Sequence, residues 1–456
     1  MTELLLPAGN LEKLAAAYDY GADAVYAGLP RYSLRARNNE FRLEQLADGI
    51  QLAHARQKKF YVTCNILPHN DKVRSFLRQL QPVIDLCPDA LIMADPGLIL
   101  LTRENWPHIP IHLSVQANTL NHASVRFWQQ IGVRRIILSR ELSLDEIADI
   151  RQTCPDIELE VFVHGALCIA YSGRCLLSGY FNRRDPNQGT CTNACRWNYS
   201  VKPANADDEQ SPPEPLQSFN FNTELQAAES QFSATGLTRH PKAEQIYLIE
   251  EEQRPGEWMP VEEDEHGTYI MNSRDLRAVE HVERLVRIGV DSLKVEGRTK
   301  SLYYVVRTAQ IYRQALDDAL QQRPFNPQLI QALDSLANRG YTSGFLQRHT
   351  TDATQNYDFG NSRTGKSQYV GQVLRFEADR AVIDVKNYFQ LHDELEIIHP
   401  SGNVHLFLNE LYNQEGQPIN KAPGNGILVQ IPLPAHLQGA LIARLLPEDA
   451  AAAPTL

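Results

Sequence analysis

No stretch of the chain approaches the roughly 18 consecutive apolar residues that a membrane-crossing helix needs. The opening MTELLLPAGNLEKL has only a short apolar run, with Glu3 before it and Pro7 and Gly9 after it. It is a poor signal peptide, so a cytoplasmic protein without membrane association is expected. Missing too are an H-E-x-x-H helix, a G-x-S-x-G elbow and a P-loop, the usual apparatus of several hydrolase classes. No glycine-rich dinucleotide fingerprint follows the first strand-like run, and no solenoid repeat is present. Cysteine is sparse, seven residues in 456, and odd in number. That argues against a disulfide framework and for reduced thiols.

The net charge of −11 at first disfavours nucleic acid as a partner. Its distribution changes that judgement. Between Asn205 and His266 lie 15 acidic and 3 basic residues, a net of −12. The rest of the chain then holds 40 acids and 41 bases, a net of +1. The acidity belongs to one segment, and the main body is free to present a basic face to RNA.

Short β-rich runs alternate with helical patterns through the first 165 residues. ELLLPAG (3–9), ADAVYAG (22–28), KKFYVTCNI (58–66), ALIMAD (90–95), IPIHLSV (109–115), RRIILSR (134–140) and LEVFVHG (159–165) read as strands. Amphipathic helices such as SLDEIADIRQTC separate them. Apolar strands alternating with helices mean a parallel α/β sheet. With DSLKVEG (291–297) as an eighth unit, a (β/α)8-type barrel is expected, and a doubly wound open sheet is the competing topology. The barrel is assigned residues 1–200 plus 268–340. An acidic insertion, 201–267, is rich in Pro, Ser, Gln and Glu, with QIYLIE as a candidate hairpin strand. MNSRDLRAVEHVERLVRIG restores a helix, with Asn272 or Ser273 as its cap and Asp275 in its first turn. From 345 to 450 the alternating runs and turns predict a small antiparallel β-barrel or sandwich domain.

Four of the seven cysteines fall in one 28-residue window: Cys168, Cys175, Cys191 and Cys195. Gly165, Gly173, Gly179 and Gly189 punctuate the segment, as tight folding around a bound centre would require. Four thiolates can hold zinc or an iron–sulfur cluster. The spacing C-x6-C-x15-C-x3-C matches neither the common zinc-finger nor the ferredoxin pattern, so it leaves the metal open. The plainer alternative is four ordinary buried cysteines.

The segment starts where the seventh strand ends, on the face where parallel α/β folds carry their chemistry. Arg174 and Arg183 lie in it, Arg35 and Arg37 follow the second strand, and Arg298 follows the eighth. Guanidinium forks suit phosphates and carboxylates, and interleaved aromatics such as Tyr171 and Trp197 could stack bases. These Arg residues are therefore candidate substrate-binding groups, with a solvated surface as the plain alternative. Asn65, Asp95, Gln116, Asn118, Glu141 and Glu296 are further strand-end polar groups. His164 and Glu296 are weak catalytic candidates, His164 as an acid–base group.

The run EVFVHGALCIAYSGRCLLSGYFNRR resembles the signature of the collagenase-like peptidase family U32. The opening ELLLPAGNLEKLAAAYDYGADAVYAG and the later MNSRDLRAVEHVERLVRIGVDSLKVEGRTKS are similar to that family as well. With the C-terminal β domain, the resemblance covers nearly the whole chain. Overall length and the final domain are most similar to members acting on 5-hydroxyuridine at the wobble position of tRNA. The resemblance implies an oxygen-independent hydroxylation system with a 4Fe–4S cluster, with Cys168, Cys175, Cys191 and Cys195 as its ligands. It also implies a need for prephenate in members that act on RNA.

Three functions follow as expectations. The first is hydroxylation of a wobble uridine, with the tRNA anticodon loop, a small carboxylate co-substrate and a redox partner. The second is a metal-dependent or cysteine peptidase. The third is a non-catalytic scaffold delivering RNA or electrons.

Overall fold

The computed structural model describes residues 2–29, 31–33, 41–167, 274–338, 340–347, 367–424 and 426–446, together with the backbone of four strands between 199 and 261. Seven strands and six helices alternate at the start. They are β1 (Glu3–Pro7), α1 (Leu11–Asp19), β2 (Ala24–Gly28), α2 (Leu43–Ala55), β3 (Lys59–Cys64), α3 (Asn70–Ile84), β4 (Ala90–Met93), α4 (Pro96–Asn105), β5 (Ile111–Leu113), α5 (His122–Gln130), β6 (Arg135–Ile137), α6 (Leu144–Thr153) and β7 (Glu158–Ala166). Local signals set the helix starts. Asn10 caps α1, Asp95 caps α4 with Pro96 behind it, and Ser143 forms a capping box with Glu146 on α6.

Within the acidic insertion, β8 (Tyr199–Pro203), β9 (Glu214–Pro215), β10 (Tyr247–Glu251) and β11 (Met259–Val261) form a separate antiparallel sheet in the order β11-β10-β8-β9. QIYLIE contributes its central strand, β10, which pairs with β11 and β8 on its two sides.

The chain then adds β12 (Asp275–Arg277), α7 (Val282–Ile288), β13 (Ser292–Val295), α8 (Leu302–Leu320), α9 (Gln328–Asp334) and β14 (Tyr341–Thr342). β13 closes the barrel. It runs parallel to β1, with Leu5 opposite Lys294, and parallel to β7, with Phe162 opposite Lys294. Eight parallel strands therefore form a ring, β1 to β7 plus β13, and the open-sheet alternative is excluded. All eight expected strands take their places in it.

One expectation changes. Asp275 does not enter a helix: Asp275–Arg277 is a strand antiparallel to the end of β7, with Leu276 opposite Gly165. A register shift between Lys294 and Val295 ends regular pairing of β13 with β7. The last residues of β7 thus have an edge for β12 to take, and the helix is delayed to Val282. Asn272 and Ser273 lie outside the described residues.

Alternation along the strands sorts side chains into two layers. Leu4, Leu6, Val25, Val62, Leu91 and Ile136 face outward into the strand–helix core. Leu5, Ala24, Tyr26, Tyr61, Ala90, Ile92, Ile137 and Phe162 form a second cluster inside the ring. No helix among the described residues is long and apolar enough to cross a membrane.

The remaining strands are β15 (Ser367–Glu377), β16 (Arg380–Val385), β17 (Phe389–Gln390), β18 (Glu394–Ile398), β19 (Val404–Phe407), β20 (Lys421–Ala422), β21 (Leu428–Pro432) and β22 (Leu441–Leu445). Six of them form one antiparallel sheet, β19-β18-β22-β15-β16-β21, around its own apolar core. Among the described residues β19 and β21 are its edges, so the expected antiparallel β domain takes the form of a half-barrel. It packs on the outer side of α8, which is buried along most of its length. Arg307 on α8 pairs with Glu396 at 2.9 Å, both buried, and the Tyr20 hydroxyl donates to the Ile398 carbonyl at 2.8 Å. Tyr303 stacks on Tyr369 and shares a 2.8 Å hydrogen bond with Ser367. Tyr303→Phe keeps the stack and drops this bond. It is expected to lower stability by about 1 kcal/mol in urea denaturation.

Candidate active site at the barrel mouth

The interior of a (β/α)8 barrel is ordinarily filled by branched apolar side chains. Here its lower half is ionic. Glu3 on β1 accepts from Arg135 on β6 at 2.7 Å, from Lys59 at 3.1 Å and from the Tyr61 hydroxyl at 2.8 Å, both on β3. Arg135 also reaches Glu158 at 2.8 Å and Glu160 at 3.1 Å, and Glu160 accepts from Lys294 at 2.8 Å. Three carboxylates thus meet three cations, as buried charge requires. Burial alone would raise the Glu3 carboxyl, but Arg135, Lys59 and Tyr61 reverse this and hold it below its ordinary value. Burial pulls the Lys294 ammonium down against the opposing pull of Glu160. His112, edge-on to Tyr61 at 4.7 Å, is kept neutral by burial and by the nearby Arg135 and Lys294 charges.

Above this layer lie two rings, Tyr26 on β2 and Phe162 on β7. The Arg140 guanidinium sits 3.7 Å from the Phe162 centroid and pairs with Glu296 at 2.5 Å. Lys294 lies 4.4 Å from the Tyr26 centroid and 5.4 Å from that of Phe162. Arg298 is 5.9 Å from the Tyr26 centroid and donates to the Ser33 hydroxyl at 2.6 Å. Gly28 makes this possible: a Cβ there would lie 2.5 Å from Arg298 Nη1. Across the ring, the Asn65 amide donates to Gln116 at 2.6 Å, and the Ser114 hydroxyl donates to the same oxygen at 2.5 Å. One side of the mouth is therefore cationic over aromatic rings, and the other carries neutral amides and hydroxyls.

His164 belongs elsewhere. It pairs in register with Val295, whose side chain is in the outer core, and it packs among Tyr304, Tyr312 and Tyr341 with centroids 5.4–5.7 Å away. Nδ1 lies 3.3 Å from the Tyr312 hydroxyl, and Nε2 has no partner among the described residues. Burial holds the ring at about 3, against the pull of Asp275, so it is neutral. That geometry suits packing better than proton transfer. Gly165 follows with φ +109, where a Cβ would lie 2.8 Å from the Glu296 carbonyl oxygen. Leu167 then turns into the interior cluster, immediately before Cys168.

Cys168, Cys175, Cys191, Cys195, Arg35, Arg37, Arg174 and Arg183 lie outside the described residues. The other three cysteines have separate surroundings. Cys64 is in the outer core, its thiol pushed up to about 12 by burial. Cys154 ends α6 with its sulfur 3.6 Å from the His122 carbonyl, and Cys87 is exposed. No group of three potential metal ligands occurs among the described residues. The remaining four cysteines of the chain fall in the 168–195 segment.

The model of peptidase family U32 matches residues 9–356, and that of the family's C-terminal domain matches 365–444. The chain belongs to peptidase family U32. It is 54% identical over 442 residues to tRNA hydroxylation protein P of Escherichia coli (strain K12), covering 96% of this chain and 94% of that one. It is 54% identical over 446 residues to the protein of the same name from Haemophilus influenzae, covering 97% and 96%. The solved structure of the U32 peptidase Mk0906 covers 65% of this chain and 94% of that one, at 14% identity and a TM-score of 0.38.

Several residues of this U32 mouth escape a reading of the sequence. Glu296 and Arg298 are visible as strand-end polar groups, but their partners, Arg140 and Ser33, are not. Arg135, Glu160 and Lys294 carry a signal that was there to find: single charges inside strands that otherwise read as buried on both faces. Asp95, by contrast, is a helix cap that accepts from the Leu98 amide at 2.8 Å.

Proposed function

We propose that this chain hydroxylates the wobble uridine of tRNA to 5-hydroxyuridine without molecular oxygen. In this reading Cys168, Cys175, Cys191 and Cys195 hold a 4Fe–4S cluster, prephenate is the co-substrate, and a redox partner completes the cycle in the cytoplasm, where tRNA is used. The observation that carries it is 54% identity across 96% of the chain to a tRNA hydroxylation protein. A cluster so bound would supply one-electron redox chemistry.

The chain's own residues have plain tasks in this scheme. Arg140 and Arg298 offer charge-assisted donors to an anion. Asn65 and Gln116 offer amides to a base edge. The Phe162 and Tyr26 rings keep water from the floor of the mouth. An anticodon uridine is single-stranded and can be turned out into such a recess at modest unstacking cost. The nearly neutral main body does not repel RNA as the whole-chain charge would suggest.

Deleting the gene is expected to remove 5-hydroxyuridine and its derivatives from tRNA, read by nucleoside mass spectrometry. Unchanged levels in a strain without a second such system would overturn the proposal. The family's designation favours one other reading, peptide hydrolysis. Among the described residues no cysteine thiol is hydrogen-bonded to a histidine ring, so the described part offers no cysteine–histidine dyad for it. Purified protein that cleaves gelatin, from a gene whose deletion leaves tRNA unaltered, would favour that reading.

A further inference from the structure

We propose that Tyr304 is a positioning residue for the barrel mouth: its hydroxyl holds the turn that carries Glu296 and Arg298 against the end of β7. The hold is read from geometry, and its use in the reaction rests on the hydroxylation reading.

Tyr303 and Tyr304 are neighbours in the first turn of α8 and point different ways. Tyr303 reaches the C-terminal domain, at Ser367 and Tyr369. Tyr304 is buried against the barrel, where its hydroxyl donates to the Glu296 carbonyl at 2.6 Å. The Ser301 hydroxyl accepts from the Tyr304 amide at 3.2 Å and fixes the helix start. The Lys300 amide donates to the Gly297 carbonyl at 2.9 Å, so the connection from β13 to α8 closes on itself.

Three contacts meet on Glu296. Its amide donates to the His164 carbonyl at 2.9 Å, its carbonyl accepts from Tyr304, and its carboxylate accepts from Arg140 at 2.5 Å. The register shift between Lys294 and Val295 comes just before it, so the strand ladder alone does not aim this residue. Two glycines show how closely the strand ends are drawn around the tyrosine. Gly297 has φ +141, and a Cβ there would lie 2.6 Å from Cε1 of the Tyr304 ring. A Cβ on Gly165, at the end of β7, would lie 3.1 Å from the Tyr304 hydroxyl. Neither position has room for a side chain.

The bond governs more than stability. Phenylalanine at 304 leaves the Glu296 carbonyl without its buried donor. The Glu296–Gly297 peptide is free to turn in search of another, because glycine adopts either sign of φ. Glu296 and Arg298 flank that peptide, and their contacts with Arg140 and Ser33 depend on its orientation. A misplacement of about 1 Å in a reacting site costs on the order of a hundredfold in rate.

The test compares Tyr304→Phe with Tyr303→Phe, each of which loses one buried hydroxyl bond. A deletion strain carries either variant or the wild-type gene at matched protein level, and its tRNA nucleosides are read by mass spectrometry. Tyr304→Phe is expected to lower 5-hydroxyuridine derivatives about tenfold or more, and Tyr303→Phe to leave them at the wild-type level. Hydrogen exchange on the purified full chains gives a readout independent of activity. In Tyr304→Phe the peptide spanning 295–300 should exchange faster while β2 to β5 keep wild-type protection, and in Tyr303→Phe that peptide should be unchanged. Gly297→Ala presses on the Tyr304 ring from the turn itself; it is expected to match Tyr304→Phe in both readouts and serves should that variant fold poorly. Wild-type modification by both mouth variants, an equal loss in both tyrosine variants, or unchanged exchange over 295–300 in Tyr304→Phe would each overturn the proposal. Should the wild-type gene restore no 5-hydroxyuridine, the hydroxylation reading fails, and the exchange experiment alone decides whether Tyr304 holds the turn.

Discussion

Glu160→Gln is expected to cost the fold about 5 kcal/mol, the upper end of the range for breaking a buried ion pair. Glu160 is fully buried and bridges two cations, Arg135 at 3.1 Å and Lys294 at 2.8 Å. Arg135 keeps Glu3 and Glu158 after the change. Lys294 loses the one carboxylate it pairs with among the described residues, and the cost falls mainly there. The variant should also acquire a distinct pH dependence. Glu160 raises the Lys294 pKa against burial, so its removal lowers the folded-state value further. Between that value and the ordinary lysine value, the unfolded chain binds the extra proton. Stability of the variant therefore rises with pH across that window, and more widely than in the wild type. Urea denaturation at several pH values reads both effects. Adding Lys294→Met should recover part of the loss, because both charges then leave the interior together. A cost below about 1 kcal/mol for Glu160→Gln would mean that water reaches this layer and that the barrel floor is not sealed.

Cys168→Ala is expected to abolish both the metal centre and the modification. The prediction follows from where the thiols are. Cys64 and Cys154 are buried singly, and Cys87 is exposed on its own. Protein purified without air should carry iron and sulfide with a broad brown absorption, and Cys168→Ala should lose both. Cys87→Ala is the control and should leave iron content unchanged. Zinc in place of iron in the wild type would turn the segment into a structural staple and remove the redox chemistry.

The barrel was legible because its strands are apolar on both faces and are spaced by amphipathic helices. KFYVTC, ALIM and SLKV need no partner to be recognised as strands. Closure was less legible, since it depends on Ser292–Val295 finding both β1 and β7. The misplaced helix start at Asp275 shows the limit of local reading. DLR becomes a strand only because a register shift leaves the last residues of β7 with an edge to offer. How far the C-terminal sheet closes on itself was less legible for a similar reason, because no local signal says whether Val404–Phe407 and Leu428–Pro432 meet.

For the site, chemistry was easier to find than partnership. Glu296 and Arg298 stand out at a strand end, but the Arg140–Glu296 pair joins residues 156 positions apart and is set by barrel order alone. His164 stands at a strand end, where the sequence offers it as an acid–base candidate. The shift opposite Val295 instead turns it outward, among tyrosines.

The most direct measurement is nucleoside mass spectrometry of tRNA from a deletion strain carrying either the wild-type gene or Cys168→Ala. Wild type should restore 5-hydroxyuridine derivatives, and Cys168→Ala should leave them at the deletion background. Restoration by both, or no difference between the deletion strain and its parent, would contradict the account.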